Sequence, residues 1–347
     1  MNKVSSFSCA ALLAFLLVAG CAPEPGPRDA VIAGTTFPDT AGERHWLDFR
    51  DRLDSASGGT LPLRLLIYGQ LGSEDQIVSG IRRGRVQFAN LSAMAVSTVV
   101  PEMALLYAPF LFDDADESDY IYDNYLTGFY RDLLAAKGLY LLSWYEIGFI
   151  NIYATEPVLL PGAAAGKRFR VGAGPAARLF AHSIGADVIP LGFADVVASL
   201  QTGLIEAGEQ SVSLYARTGI ATEAGHLTMT EHSFGVSAIV ASKSWWDGLT
   251  TEQQGWVAAA WPTAAQTRAA VRAESNQDLD AGADLGIVAH RLQPEQRDQW
   301  RSASAEVTGK LIRTIGGRSA EVYALIQEAK AEFAATRAGA NPKVPAD

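Results

Sequence analysis

The chain contains the run Gly166-Lys167-Arg168-Phe169-Arg170-Val171, in which basic and apolar residues alternate up to Gly172. This period of two predicts a β-strand with both arginines on one face and Phe169 and Val171 on the other. Ligands of open α/β sheets bind beyond the carboxyl ends of the strands, and a guanidinium suits a carboxylate. The run therefore predicts an anion site, unless both arginines merely solvate an edge strand.

Strand-like and helix-like patterns alternate on both sides of this run, which predicts an α/β protein. We expect helices over 46–53 and 193–200, and one long helix over 251–282 that is bent or broken at Pro262. Glu146-Ile147-Gly148 is expected to form a turn between two strands. The predicted strands are 61–68, 86–91, 140–144, 151–155, 169–171 and 234–242.

The N-terminus has the order of a secretory signal: basic Lys3, an apolar run over 9–18, and small residues before a cysteine. The stretch Leu17-Val18-Ala19-Gly20-Cys21 is similar to the bacterial lipobox. It predicts a signal peptide over 1–20 and a lipidated Cys21 with a Pro-rich tether over 21–29. The product would be periplasmic or otherwise extracytoplasmic, and anchored by lipid to a bacterial membrane. The alternative is an ordinary secretory signal with an incidental cysteine.

Composition excludes several classes of function. The chain has 28 basic and 38 acidic residues and a net charge of −10, which argues against nucleic-acid binding. Its cysteines are Cys9, in the predicted signal, and Cys21, so the mature part has no thiol for a disulfide, a metal or catalysis. Five histidines show no paired metal-ligand spacing, and no Gly-x-Ser-x-Gly turn occurs. We expect no catalytic residue, no cofactor and no metal.

One motif imitates a dinucleotide-binding turn. Residues 172–177 contain Gly172 and Gly174 between a predicted strand and a predicted helix, but Ala177 stands in the third glycine position. No acidic residue ends a second strand at the expected distance. We interpret the segment as a turn that lets backbone N–H groups approach a ligand.

Five segments, the run 166–171 among them, together resemble the solute-binding proteins of tripartite ATP-independent periplasmic (TRAP) transporters, of the DctP-like family. Their order and spacing both match that family over nearly the whole mature chain. The segments are Gly69-Gln70-Leu71-Gly72; Val100-Pro101-Glu102 with 108–112; 166–171; 193–196 with Leu200-Gln201-Thr202-Gly203; and Ser242-Lys243 with 246–249 and 252–254.

The resemblance implies a two-lobe α/β fold of the periplasmic binding protein type (type II-like), with crossing strands and a long helix across both lobes. Lobe I would comprise 30–147 plus 236–275, and lobe II 148–235 plus 276–347. The protein would be no enzyme. It would close on a small organic anion, such as a mono- or dicarboxylate, keto acid or sugar acid, and pass it to TRAP membrane subunits. A sensing lipoprotein of the same fold is the alternative.

The resemblance also implies site residues. The family's carboxylate-binding arginine matches Arg170, and its amide residue falls on Gln210, where the family has Asn. A second arginine of many members is replaced by Ile150, beside Asn151, which favours a ligand with one carboxylate and an apolar or hydroxylated body. From predicted strand ends and aromatic character we add further candidates, although aromatic residues more often belong to cores. The ligand-binding candidates are Arg170, Gln210, Thr35, Ser92, Asn151, Phe37 and Phe234, with Trp144 and Tyr145 as possible apolar surface.

Overall fold

The computed structural model describes residues 29–172 and 174–340 of the chain. The predicted signal peptide, Cys21 and the tether up to residue 28 lie outside the described residues. The described part contains one nine-stranded mixed sheet. Its strands are β1 (Ala30–Ala33), β2 (Leu63–Leu66), β3 (Phe88–Ser92), β4 (Leu139–Ala154), β5 (Arg168–Val171), β6 (Asp187–Pro190), β7 (Ala207–Ser211), β8 (His226–Ser242) and β9 (Val288–Arg291).

Helices connect the strands and cover the sheet. They are α1 (Ala41–Ser57), α2 (Glu74–Arg82), α3 (Ala93–Val96), α4 (Ala115–Ile121), α5 (Thr127–Ala135), α6 (Pro175–Ser183), α7 (Val196–Gln201), α8 (Val212–Arg217), α9 (Ile220–Glu223), α10 (Lys243–Asp247), α11 (Thr251–Ala260), α12 (Ala264–Asp280), α13 (Pro294–Ala303), α14 (Val307–Ile315) and α15 (Ser319–Ala340). Short 3₁₀ helices span Pro101–Tyr107, Pro161–Ala164 and Phe193–Asp195, and a π-helical turn spans Tyr122–Leu126.

Two long strands hold the sheet together. The strand order is β2-β1-β3-β8-β4-β7-β5-β6, and β9 pairs with β8. The end of β8 pairs with β3, while its beginning pairs with β9. The end of β4 pairs with β7, which continues through parallel β5 and β6. The antiparallel pair β4–β8 therefore runs from the β2-β1-β3 lobe into the β7-β5-β6 lobe.

The expected turn at Glu146-Ile147-Gly148 is wrong. β4 continues through these residues, and its register against β8 shifts between Glu146 and Gly148. The extra residue forms a bulge, which bends a strand without ending it. Gly148 has φ 97°, a conformation that favours glycine, and it pairs with Gly235 on β8. Gly148, which predicted a turn, therefore marks a bend in β4, a strand that runs through both lobes.

The bounds and the buried face of α1 in the first lobe follow from its capping residues and from the spacing of its apolar residues. Thr40 caps α1 by accepting a hydrogen bond from the Glu43 N–H, and Gly58 ends the helix in the left-handed region. Trp46, Phe49 and Leu53 lie on its buried face, as their spacing predicts.

The long helix expected over 251–282 is broken at Pro262. α11 ends at Ala260, and the Thr263 side chain caps α12 by accepting from the Gln266 N–H. α12 then packs against α1 in one lobe and α8 in the other, as well as against β4. Of the helix expected over 251–282, α12 is therefore the part that contacts both lobes.

Ion pairs fasten α12 to both lobes. Arg272 pairs with Glu146 and Asp119 of the first lobe, each at 2.7 Å. Toward its other end, Asp278 pairs with Arg217 of α8 at 2.8 Å. The helix therefore adds a link between the lobes to that of the two crossing strands, one of which supplies Glu146.

The last helix differs from the expected lobe boundary. Residues 276–347 were expected in lobe II, but α15 packs against α4, the 3₁₀ helix 101–107 and the π-helical turn, all of lobe I. The reason is apolar burial, since Val322, Ile326 and Ala329 belong to the same core cluster as first-lobe residues such as Leu105. β9 and α13 do pack with second-lobe elements.

We predict that Gly235→Ala destabilises the fold by about 1–3 kcal/mol, the usual cost of overpacking. A Cβ at Gly235 would lie 3.0 Å from the Gly148 carbonyl oxygen and 3.0 Å from Ile147 Cβ, neither of which can swing away. Urea unfolding measures the effect. The control is Gly128→Ala in α5, where a Cβ meets no atom within 4 Å. A Gly235→Ala protein as stable as wild type would contradict this account of the bend.

Candidate functional site

Arg170 lies on β5, one residue before the strand ends, and is only 7 % exposed. Its Nε donates to the Leu191 carbonyl at 3.1 Å, and its guanidinium carbon lies 5.9 Å from the centre of the Phe193 ring. These contacts fix the direction of the side chain. Its two terminal nitrogens donate no hydrogen bond within the described residues.

The charge of Arg170 is unpaired, which distinguishes it from the other buried arginine of the described chain. Arg268 is equally buried but is paired with Asp119 and Asp123. Arg170 takes part in none of the ion pairs among the described residues. A buried charge without a partner is costly, and an anion supplied from outside would offset that cost.

The Glu209 carboxylate of the neighbouring strand β7 lies on the opposite face of the sheet from Arg170. Arg170 pairs in register with Gly208 of β7, so the next residue, Glu209, faces the other way. There the Glu209 carboxylate meets His232 Nε2 at 3.0 Å, and His232 Nδ1 meets the Thr230 hydroxyl at 2.7 Å. This arrangement keeps Glu209 from pairing with Arg170.

Gln210 and Arg168 flank Arg170 differently. Gln210 lies on β7 and is buried, and its Oε1 accepts from the Ser211 N–H at 2.9 Å. Arg168 is exposed and pairs with Glu206 at 3.1 Å. Only Arg170 of the two strand arginines is therefore available for an anion.

The first-lobe candidates reach the boundary between the lobes to different extents. The Phe37 ring packs edge-to-face on Phe193 of the second lobe, with 5.8 Å between ring centres. Thr35 is exposed and forms an isolated bridge with Tyr68. Phe37 is thus joined through Phe193 to Arg170, whereas no contact links Thr35 to that cluster.

Ser92 is used by a neighbour that the sequence analysis did not single out. Its N–H and its hydroxyl each donate to the Glu74 carboxylate at 2.7 Å. Burial raises the pKa of Glu74, and the hydrogen bonds from Ser92 offset this only in part. Both donors of Ser92 are therefore occupied by the Glu74 carboxylate.

Asn151 and Phe234, both expected to contact ligand, lie in the packed interior. Asn151 is fully buried, donates to the Phe149 carbonyl and accepts from the Glu231 N–H. The Phe234 ring packs against Phe112 and Phe149. In this structure both side chains pack between the crossing strands, and their contact with a ligand stays a prediction.

Trp144 and Tyr145 are core residues as well. Trp144 donates through Nε1 to the Thr127 hydroxyl, and the Tyr145 hydroxyl lies 3.2 Å from His45 Nδ1. Each belongs to a first-lobe core cluster. Both therefore occupy core positions, as aromatic residues more often do.

At Gly172 and Gly174 a first-lobe side chain occupies the space that a larger residue would need. A Cβ on Gly172 would lie 3.2 Å from Met94 Cε and 3.9 Å from Arg170 Nη2. A Cβ on Gly174 would lie 2.9 Å from Met94 Sδ. Met94 therefore packs from α3 onto the turn that follows β5, directly beside the guanidinium.

A further contact joins the lobes near the same boundary. Arg217 of α8 donates through Nη1 to the Asp39 carbonyl of the first lobe at 3.0 Å. Together with Phe37–Phe193 and Met94–Gly174, it shows the lobes in contact across the boundary.

Sequence reasoning missed Phe193, Met94 and Glu74. Phe193 stands in a segment that was interpreted only as part of a helix and of the family resemblance. Glu74 could have been found, since it opens a helix just after a strand, where α/β proteins place ligand contacts. Met94 gives no sequence signal, because its role depends on the approach of two distant glycines.

A family model for "Bacterial extracellular solute-binding protein, family 7" matches residues 35–314. The ectoine-binding periplasmic protein TeaA of Halomonas elongata is 26% identical over 277 residues, 78% of this chain and 80% of that protein. The C4-dicarboxylate-binding periplasmic protein DctP of Vibrio cholerae is 27% identical over 270 residues, 76% of this chain and 80% of that protein.

Solved structures agree in fold. The ectoine-binding protein of the TeaABC TRAP transporter superposes with a TM-score of 0.81 at 22% identity, over 88% of this chain and 100% of that one. A TRAP solute-binding protein from Roseobacter denitrificans with bound β-D-glucuronate also gives 0.81, at 21% identity, over 86% and 99% of the two chains.

The two-lobe α/β fold is the fold of the solved TRAP solute-binding proteins that the chain is similar to. The chain belongs to bacterial extracellular solute-binding protein family 7, and the relatives it matches are TRAP solute-binding proteins. The predicted fold class and family are confirmed. These relatives are transport proteins and not enzymes, and their names place them in the periplasm. None of the helices in the described ranges is both long and apolar enough to span a bilayer.

We predict that Gly174→Ala weakens binding of any acid that binds the wild type, and that adding Met94→Ala restores part of the loss. The new methyl group collides with Met94 only when the lobes are in contact, so the two changes should couple by about 0.5–3 kcal/mol. Isothermal titration of the single and double variants measures the coupling. Additive effects would show that Met94 does not meet this turn in the bound state.

Proposed function

We propose that the protein is the extracytoplasmic receptor of a TRAP transporter, which binds a small organic acid between its lobes and delivers it to the membrane subunits. The observation that carries this proposal is Arg170, a buried arginine with no carboxylate partner in the described chain. Its position at the end of β5 is where α/β proteins bind ligands.

The chemistry of the ligand follows from the arginine. Nε is used by the Leu191 carbonyl, which leaves the two terminal nitrogens to donate in parallel. Two parallel donors match the two oxygens of a carboxylate. The family's second arginine position is Ile150, which is 5 % exposed and lies in the first-lobe core, so it supplies no second cation. A ligand with one essential carboxylate fits this arrangement.

The printed names of the relatives and solved structures support the same class of ligand. They include binders of ectoine and of C4-dicarboxylates, and structures with bound glucuronate, galactonate and succinate. These molecules share a carboxylate and little else. The shared group is the one that Arg170 would recognise.

Lobe closure would make the contact selective. The ligand must bind the closed arrangement of the lobes more tightly than the open one. A ligand that bound both arrangements equally would not shift the equilibrium between them. A carboxylate placed at Arg170 is shielded from water once Phe37 packs on Phe193 and Met94 on Gly174. Exclusion of water strengthens the charge pair.

We predict that Arg170→Ala abolishes ligand-induced thermal stabilisation and leaves the unliganded fold intact. The expected loss in binding free energy is about 2–5 kcal/mol, because the ligand carboxylate would be buried without a partner. The measurement is a thermal-shift screen against monocarboxylic, dicarboxylic, keto and sugar acids.

The matched control is Arg168→Ala. It removes the same charge from an exposed side chain two residues before Arg170. It should respond to the same acids as wild type. Stabilisation of Arg170→Ala equal to that of wild type would refute the site. Equal losses in both variants would indicate a general charge effect.

We further propose that Cys21 is lipidated and holds the protein on a bacterial membrane. The support is the order of basic, apolar and small residues before Cys21. Cys21→Ser should move the protein from the membrane fraction to the aqueous phase of a detergent partition. Cys9→Ser, within the predicted signal, should leave the distribution unchanged. Equal partitioning of wild type and Cys21→Ser would contradict the anchor.

A further inference from the structure

Basic residues lie together at the end of the first lobe where β3 begins. The stretch between α2 and β3 carries Arg82, Arg83 and Arg85, all of them exposed. Arg82 Nε donates to the Lys137 carbonyl at 3.1 Å, so Lys137, which is also exposed, belongs to the same surface. None of the four takes part in an ion pair among the described residues. We call these four residues the basic pole.

The basic pole lies at the end of the first lobe that faces away from Arg170. β3 runs from Phe88, close to the basic pole, to Ser92. Met94, which follows β3, packs on Gly174 in the turn beside Arg170. The four cations and the boundary between the lobes are therefore at opposite ends of the same strand.

The first described residue lies at the same end of the lobe. Asp29 precedes β1, and β1 runs parallel to β3. The Val31 carbonyl accepts from the Gln87 N–H at 2.8 Å, and the Val31 N–H donates to the Gln87 side chain at 2.8 Å. Asp29 and Arg85 each stand two residues before this pair. The polypeptide therefore enters the lobe beside the basic pole.

The predicted lipid anchor is close to this point of entry along the chain. Cys21 stands eight residues before Asp29. A fully extended chain covers at most about 3.6 Å per residue, so eight residues reach roughly 29 Å at most. An anchor at Cys21 would keep the start of β1, and with it the basic pole, within that distance of the lipid.

We propose that the basic pole is a contact surface for anionic phospholipid, and that it orients the anchored protein with this end of the first lobe against the membrane. The orientation rests on the lipidation proposed for Cys21, whereas the attraction to lipid rests on the described residues alone. The carboxyl ends of β1 and β3 would then point away from the lipid.

The charges of the basic pole are opposite in sign to that of the whole protein. The chain carries a net charge of −10, which an anionic bilayer repels. Lys243, whose N–H donates to the Gly138 carbonyl next to Lys137, is paired with Asp247 at 2.6 Å and adds no net charge. Asp29 opposes the four unpaired cations with one negative charge. Anionic lipid attracts basic residues within about a Debye length, so it would select this end of the molecule.

The position of the anchor favours lipid over an acidic protein as the partner of this surface. A short linker holds the surface near the bilayer at a high effective concentration, so a contact too weak to bind a free protein can still orient an anchored one. A soluble acidic protein would gain nothing from the linker. Guanidinium groups also match the phosphate groups of lipids, since they can donate two parallel hydrogen bonds.

The first test measures the attraction to lipid without the anchor. The mature chain carrying Cys21→Ser would be sedimented with vesicles of phosphatidylcholine, and with vesicles of equal parts phosphatidylcholine and phosphatidylglycerol. We expect binding to the phosphatidylglycerol vesicles only, and weaker binding as the salt concentration rises. Combining Arg82→Glu, Arg83→Glu and Arg85→Glu should lower this binding at least about tenfold, because each basic residue near an anionic surface contributes to it.

A matched control reverses three exposed arginines on other elements, α6, β9 and α14. Arg178→Glu, Arg291→Glu and Arg313→Glu change the net charge by the same amount, and none of these arginines is in an ion pair among the described residues. The variants are compared at about 0.1 M salt, where charges more than about 10 Å from the lipid are screened, so the control should lose about threefold at most. Thermal unfolding checks that both triple variants fold.

The second test measures the orientation of the anchored protein. The mature chain has no thiol other than Cys21, so a cysteine added at an exposed site carries a single label. Ser244→Cys places a fluorophore beside Gly84 at the basic pole, and Thr202→Cys places one on the second lobe. With spin-labelled headgroups in the phosphatidylglycerol vesicles, quenching of the first label should exceed that of the second at least about twofold.

The outcomes separate this inference from the anchor. If the Cys21→Ser chain binds phosphatidylcholine as well as phosphatidylglycerol, or binds neither, the inference is overturned, and an acidic protein becomes the better candidate partner. Equal losses in the two triple variants, or equal quenching of the two labels, overturn it as well. If the chain with Cys21 binds vesicles no better than Cys21→Ser, the lipidation is contradicted. The two triple variants still decide in that case whether the basic pole binds lipid.

Discussion

The antiparallel pairing of β4 with β8 is the interaction on which the rest of the structure depends. Each strand contributes one half to each lobe, so the same hydrogen-bond ladder supports β3 on one side and β7 on the other. β7 in turn positions β5 and hence Arg170. The bulge at Ile147 and the Gly148–Gly235 pair lie in the middle of this ladder. The β4–β8 ladder therefore continues from one lobe to the other, and its register shifts at the pair of glycines.

The charges near the lobe boundary are arranged so that they do not cancel each other. Glu209 would be a natural partner for Arg170, but strand alternation turns it away and His232 holds it on the other face. Maintaining an unpaired buried charge costs stability, so the fold must position it firmly through uncharged contacts. The Leu191 carbonyl and the Phe193 ring do this for Arg170.

Much of this could be predicted from the sequence, for reasons that differ between residues. The alternation around Arg170 is a local pattern, and the capping and spacing of α1 are local as well, so both were found. The bend in β4 was misinterpreted, because Gly148 gives the same local signal in a turn and in a bulge. The burial of Asn151 could not be predicted either, because a second irregularity of β4, between Ile150 and Ile152, lies at this residue. The return of α15 to the first lobe depends on distant apolar partners, which no local pattern encodes.

The attachment of α12 to both lobes has a mechanical consequence. β4, β8 and α12 cross the boundary, and the chain returns to the first lobe through α14, which packs against both α6 and the 3₁₀ helix 101–107. α12 is fixed by Glu146 on one side of the boundary and by Arg217 on the other. We expect these four crossings to oppose sliding and twisting of the lobes and to leave rotation about the line of crossings as the soft motion. Occupancy of the cleft would thus be encoded in a single angle. A membrane partner that touches both lobes could read that angle without contacting the bound molecule.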